Sequence, residues 1–523
     1  MMQRTKRQTK NLRFLIGLII VSSFPITTWA QYGKVYCSSS EGSDDNDGLT
    51  PKTAVRTIAN AAGKGRHILL KGGDTFYERI PILGSEEYPY VVEGYGKGMP
   101  IISGFKVAAK GKGLWLRGVW DKSGEWQASE QGDIWRIDLW SADLEGFVGQ
   151  SQWCCDVGCV YLPATDEIHG ICCGFRTADV ETVWLPNRQF SRNMKDDYDY
   201  FQPWGQTEDG SLKMPDDRYF YMKLSTDPNQ QEIWLSSGEA GVSCTFTTID
   251  GLKIWGWGTH GVGTGTNTNV RNCVIDVIGG SLFIGYSAGT RYGNGIEFYV
   301  GRTQRDCLCE HNTISRTFDC GVTIQGAGYP GATAENIVFR HNIIKDCRQS
   351  CEFWLANAVS KDNPALLDMK NCSFDHNVCY PTHSNYGMYL ANNSQILYYQ
   401  GESDIKGLTI ADNTFIGGDT YYFNSGSSTV AEYHGNRYIC LPGSMLNRKA
   451  WRLPVEADKV KRGDEDWTEQ RDGMYRYQTS NTEYAYASTL KEANRQTVAC
   501  FSKMIGDPDL KVIVRKRLPK CRK

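Results

Sequence analysis

The sequence predicts an all-β solenoid of stacked parallel strands, on three observations. Six Asn-centred units, VRNCVI, CEHNTI, FRHNII, FDHNVC, IADNTF and YHGNRY, recur between about 244 and 440 on Asn272, Asn312, Asn342, Asn377, Asn413 and Asn436, with gaps of 40, 30, 35, 36 and 23 residues. In five units an apolar residue stands three before the Asn (Cys309, Phe339, Phe374, Ile410, Tyr433), and in all six one stands two after it, the period of two expected on either side of a turn. Long amphipathic helical runs are scarce, and the one near 484–502 follows the last repeat. The irregular gaps exclude a helical repeat array but suit coils whose loops vary around a constant strand. In coils stacked about 4.8 Å apart, an inward Asn can bond the backbone of its own turn and the Asn of the next coil.

Composition agrees. With 40% hydrophobic and 22% charged residues, the 523-residue chain can bury a large core, which excludes disorder, collagen and coiled coil. A net charge of -2 gives no positive excess for DNA or RNA, so no nucleic-acid partner is expected.

Residues 1–30 read as an export signal. Arg4, Lys6, Arg7, Lys10 and Arg13 precede the apolar run FLIGLIIVSSF, and Thr28-Trp29-Ala30 resembles a cleavage site that leaves Gln31 first. The run falls short of the ~20 residues that span a bilayer, no Cys follows for a lipid anchor, and no other segment reads as a membrane span. Removal of those five basic residues leaves 52 against 59 acidic ones, a charge of -7. A soluble monomer, secreted or periplasmic, is expected.

At 18 of 523 residues, cysteines are too sparse for a disulfide scaffold. Cys154-Cys155 and Cys172-Cys173, with Cys159, are the candidates for bridges, and His169 and Asp156 beside them allow a metal-site alternative. Cys273, Cys309, Cys320, Cys347 and Cys351 fall in apolar strand patterns and read as small buried hydrophobes.

The opening YCSSSEGSDDNDGLTPKTAVRTIANAA, then ILLKGGDTFYE, YVVEGYGKGMPIISG, GDIWRIDL, YFYMKLSTDPNQQEIWLSS and IDGLKIWGWGTHGV, resembles the exported right-handed parallel β-helix proteins of the pectate-lyase-like superfamily over about 31–440. The resemblance implies a single-stranded right-handed parallel β-helix with an N-terminal cap and a β-rich insertion, acting on a polysaccharide. Residues 31–105 become the cap and first coils, which cover an edge that would otherwise template aggregation. The GSDDNDG loop is no EF-hand: with Gly48 at position six, Ala54 falls at position twelve, where a Glu is required. Residues 106–240, rich in Trp, read as a β insertion beside the helix, with a carbohydrate-binding module as the alternative. Residues 241–440 form the parallel β-helix. Residues 441–523 form a C-terminal closure ending in the basic KVIVRKRLPKCRK, read as a solvated tail.

Chemistry is expected where side chains of successive coils share one surface. The strands THGVGTG, NGIEFY, CGVTIQ, SCEFWL and YGMYLA align with Ile296, Val322, Cys351 and Met388 inward, so that Gly263, Glu297, Thr323, Glu352 and Tyr389 face outward. Two further on, Tyr299, Gln325, Trp354 and Ala391 share that face. Glu297, Glu352 and Asp319 are the candidate catalytic carboxylates, Asp319 and Arg348 bordering the strip and His260 lying before it. Tyr299, Gln325, Trp354, Tyr389, Arg348 and His260 are the candidate substrate contacts. Paired carboxylates beside aromatic rings suit glycoside hydrolysis; solvated surface charge is the bland alternative for each Glu. Lys345, Arg340 and Arg348 keep open a polysaccharide lyase with a Lys or Arg base. A non-catalytic glycan-binding solenoid is a third reading. His311, His341 and His376, each preceding a ladder Asn, read as structural rather than metal-binding. No metal or other cofactor is expected, calcium entering only with the lyase.

Overall fold

The computed structural model describes the chain from Gly33 to Cys521, apart from residues 123–124, 148–156, 170–193, 195, 203–204, 207–211, 214–217, 282–291, 329–331, 358–367, 381–393, 401–406, 418–419, 425–430, 442–444, 449–474, 479–483, 490, 494, 497–498, 500–506 and 508. Residues 1–30, read above as an export signal, and Cys154-Cys155, Cys172-Cys173, Asp156 and Tyr389 lie outside the described residues.

Three long parallel sheets, of 11, 10 and 9 strands, run the length of the solenoid, and each coil contributes one strand to each sheet in turn. The fold is all-β. From strand Thr247–Asp250 to strand Glu432–His434 the chain crosses the first sheet on seven successive coils, in keeping with the at least six that the Asn units imply. Inward columns of apolar residues fill the interior. On the third sheet Val242, Val262, Ile296, Val322, Cys351 and Ile396 stack in register, each with no exposure. Phe298 packs edge-on to Phe339, and Phe374 stacks on Phe415 across the interior. A Phe of this kind contributes about 3 kcal/mol or more through burial and close packing.

The asparagine ladder forms with one correction. Asn312, Asn342, Asn377, Asn413 and Asn436 are buried, and each backbone N–H and side-chain Nδ2 up to Asn413 donates to Oδ1 of the next Asn at 2.8–3.1 Å. The Nδ2 group also donates to a carbonyl of the preceding coil, as from Asn342 to Cys309 O at 3.0 Å, rather than to its own turn. Asn272 does not belong to this column. Its φ is 54°, the left-handed conformation shared by His311, His341 and His376, and the ladder position in its coil is Cys273, whose N–H donates to Asn312 Oδ1. Asn tolerates that backbone region unusually well, so the residue fits two adjacent columns. The His311 and His341 rings stack along the outside with centroids 5.2 Å apart, and the His376 ring lies tilted against His341 at the same distance.

Both ends of the solenoid are closed by the chain. At the start, Thr57 caps the short helix Ile58–Lys64, Glu78 accepts from the Ile58 N–H at 2.9 Å, and Ile58 and Ala61 enter the core beside Val35 and Ile68. Asp44, in the GSDDNDG loop, accepts from the Arg56 and Thr57 N–H groups, which makes the loop a capping turn. At the far end, Asp507 accepts from the backbone and side chain of Asn436 and terminates the ladder. The segment read as a solvated tail begins instead with a strand, Lys511–Val514, paired with Arg437–Cys440. Its alternating Val and Ile bury apolar surface that the charge count concealed.

The chain leaves the second sheet after Ser103 and rejoins the solenoid at Val242 in the third. In between it forms two five-stranded antiparallel sheets with their own core, including Trp115, Trp135, Ile137, Phe220 and Leu235. Phe105, Tyr161 and Trp234 pack against Trp255 of the solenoid, and Arg316 bridges Asp276 and Asp166. Trp115 and Trp135 are core residues of this unit, so they are not a sugar-stacking platform. Nine cysteines among the described residues, Cys273, Cys309, Cys320, Cys347 and Cys351 included, are free and buried, whereas Cys159 is buried and its bridge candidates Cys154-Cys155 and Cys172-Cys173 lie outside the described residues. Burial pushes the Cys273 thiol up to about 12, where it is inert at neutral pH. No helix among the described residues is long and apolar enough to cross a membrane.

Candidate active site

The site lies on the outer face of the third sheet, where strands Val262–Thr264, Ile296–Tyr299, Cys320–Gly328 and Gln349–Asn357 run side by side. The register places Gly263, Glu297, Thr323 and Glu352 in one column and Tyr299, Gln325 and Trp354 in the next. Glu297 and Glu352 are therefore two strand spacings apart, about 9–10 Å between backbones. In the following coil, Glu352 pairs with Leu397 and Cys351 with Ile396. The strand paired there is Ser394–Gln400, and YGMYLA, with Met388 and Tyr389, lies outside the described residues.

The two glutamates are not solvated surface charges. Their relative exposures are 6% and 7%, which removes the bland alternative for both. Neighbouring turns cover them. His260, in the turn before Val262, places Nε2 at 2.7 Å from Glu297 Oε2, and Asn294 Nδ2 donates to the same oxygen at 3.0 Å. The His260 ring meets Tyr292 edge-on at 4.9 Å. Gly261 and Gly295 let these turns approach: a Cβ on Gly295 would lie 2.4 Å from the Gly321 carbonyl oxygen. Asn294 escapes sequence reading because a residue two before a strand carries no periodic signal. Its equivalence to His260 emerges only from the stacked register.

The carboxylates are driven in opposite directions. Burial works against the charge on Glu297, but His260, by charge and hydrogen bond, together with hydrogen bonds from Asn294 and Gln325, holds it below the usual Glu range. Glu352 goes the other way: burial raises it well above that range, the nearby Asp319 charge adds to the rise, and Arg348 opposes it. Asp319 is also raised by burial, against the opposing charge and hydrogen bond of Arg348. Arg348 Nη1 lies 2.7 Å from Asp319 Oδ1, which favours the ionised form of Asp319 over that of Glu352. Glu352 Oε2 is buried and has no hydrogen-bond partner among the described residues.

Of the remaining candidates, Tyr299 is 46% exposed at the rim and Gln325 is half-buried beside Glu297, whereas the Trp354 side chain lies outside the described residues. Arg340 and Lys345 are not at the site. Arg340 pairs with Glu310 on the first sheet, and Lys345 belongs to Ile343–Lys345 on the second. Among the described residues, no group of three His, Cys, Asp or Glu is arranged to hold a metal ion.

No family model and no curated protein matches the chain. Solved structures similar to it include XylC in complex with xylose (12% identity, 79% of this chain and 70% of that one, TM-score 0.37). Others are a lacto-N-biosidase from Eubacterium ramulus (12%, 79% and 65%, TM-score 0.35) and an alginate lyase from Paenibacillus sp. (11%, 80% and 95%, TM-score 0.30). Likeness at this level bears on neither substrate nor reaction.

Proposed function

We propose that the protein is an exported glycoside hydrolase that cleaves a polysaccharide with Glu352 as general acid and Glu297 as general base. One observation carries the reading: two buried carboxylates in one column, two coils apart, sit in environments that drive their protonation in opposite directions, which assigns an acid and a base. Glu352 Oε2 gives its proton to the glycosidic oxygen as the C–O bond breaks. Glu297 takes a proton from the water that attacks the anomeric carbon from the opposite face. The two-coil separation suits an inverting enzyme, whose carboxyls stand ~6.5–9.5 Å apart, better than a retaining one at ~5 Å. His260 and Asn294 keep Glu297 ionised, and Asp319, held by Arg348, keeps the proton on Glu352. Displacement of Arg340 and Lys345 to other sheets leaves the lyase without those bases at the strip. Export rests on residues 1–30, and a secreted or periplasmic chain beginning at Gln31, found by N-terminal sequencing, is the expected result; cytoplasmic retention with an intact N-terminus contradicts it.

The pH profile tests the assignment. Activity needs Glu297 ionised and Glu352 protonated. kcat/KM should therefore rise with pH through a limb below the usual Glu range, hold a broad plateau, and fall through a limb well above that range as Glu352 loses its proton. Glu352→Gln should abolish the alkaline limb in the residual activity. A wild-type alkaline limb in that variant would overturn the assignment.

A further inference from the structure

Gly263 stands in the interior of strand Val262–Thr264, between Ser243 on one neighbouring strand and Glu297 on the other. Nothing in its own coil requires a glycine. Its φ is not in the left-handed region, and among the described residues a Cβ there would meet only the Val242 carbonyl oxygen, at 3.7 Å. The glycines on either side differ: a Cβ on Gly261 would lie 2.6 Å from Gly295 O, and one on Gly265 would lie 2.2 Å from Thr245 Cγ2. A strand glycine with neither a conformational nor a packing reason weakens its strand, and such positions mark close approach of a ligand. Here it leaves bare backbone beside Glu297.

The far side of this gap is polar and fixed. Arg79 Nη2 donates to Ser243 Oγ at 3.0 Å and Nη1 to Glu239 Oε2 at 3.0 Å. Glu239 is buried, and the Arg79 side chain is 35% exposed. Guanidinium and carboxylate neutralise each other, so the wall offers donors and acceptors without net charge.

Resting on the hydrolase reading, we propose that Gly263, Ser243 and the Arg79–Glu239 pair form a subsite for an uncharged sugar residue next to the bond cleaved. A pyranose lies over the bare backbone of Gly263, with its hydroxyls bonded to Ser243, Arg79 and Glu239. A uronate would bring its carboxylate between Glu239 and Glu297, against a cation already engaged by Glu239. The substrate class is therefore a neutral glycan.

The test uses the full-length mature chain carrying Glu352→Gln, which should bind without cleaving, and a panel of neutral hexose and pentose oligosaccharides beside oligogalacturonate and oligomannuronate. Binding should be confined to neutral members. Adding Gly263→Trp should weaken it by roughly tenfold or more, Gly263→Ala by less, with melting unchanged. In the otherwise wild-type enzyme Gly263→Trp should raise KM by a similar factor. Preference for the uronates, unchanged binding in Gly263→Trp, or no binding to any member overturns the subsite. Its failure is separable from that of the hydrolase: an unaffected Gly263→Trp beside inactive Glu352→Gln sinks the subsite alone, whereas fully active Glu297→Gln and Glu352→Gln sink the hydrolase.

Discussion

Glu352→Gln is expected to lower turnover by about a hundredfold or more, the loss that follows removal of a general acid, while making the fold more stable at neutral pH. The second effect follows from the sign of the shift. The folded state holds the Glu352 proton more tightly than the unfolded chain does, so this residue costs stability as pH rises above the ordinary Glu value of about 4.3. Glutamine keeps the shape without that cost. Glu297→Gln should lose turnover on the same scale with the opposite stability effect. Its carboxylate, held low by His260, Asn294 and Gln325, contributes stability above the unfolded Glu value that is lost as pH falls through the folded one. Kinetics and thermal melts at pH 7 check both, and wild-type turnover in both variants would move the chemistry off this strip.

Asn342→Ala is expected to be among the most damaging single changes to the fold. It removes the acceptor of the Asn312 N–H and strips Cys309 O of its donor, deep in the stack. Two buried groups left unsatisfied cost roughly 2–6 kcal/mol together. Urea melts of the purified protein measure it, and a neutral effect would mean that the ladder contributes nothing to the solenoid. Exposed Asn272→Ala, outside the ladder, should be much milder.

The architecture was legible because each coil repeats the same local demands: an apolar residue inward, a polar one outward, an Asn at the corner. Where two adjacent columns accept the same residue type, as at Asn272 and Cys273, the pattern alone chose wrongly by one. The pairing of Glu297, Thr323 and Glu352 was readable because three successive strands share one period. The next coil was not: Ile396 follows Cys351 by 45 residues, and in sequence YGMYLA alternates as convincingly as QILYYQ, the segment that pairs with the Glu352 strand. The burial of the glutamates was also hidden. It depends on His260, Asn294 and Arg348, which reach the site from turns of different coils, and the Arg79–Glu239 pair joins residues 160 positions apart. Such contacts have no sequence period.

Hydrolysis by the Glu297 and Glu352 pair adds one water to each bond it breaks. Its most direct test is depolymerisation by the mature enzyme in water carrying heavy oxygen, across neutral and uronic-acid polysaccharides, with products resolved by mass and ultraviolet absorbance. Hydrolysis predicts one added water per cleavage, the label on the new anomeric centre with inverted configuration, and no absorbance. Unlabelled products that absorb in the ultraviolet as unsaturated uronates, or glycan binding with no cleavage of any polysaccharide, would contradict it.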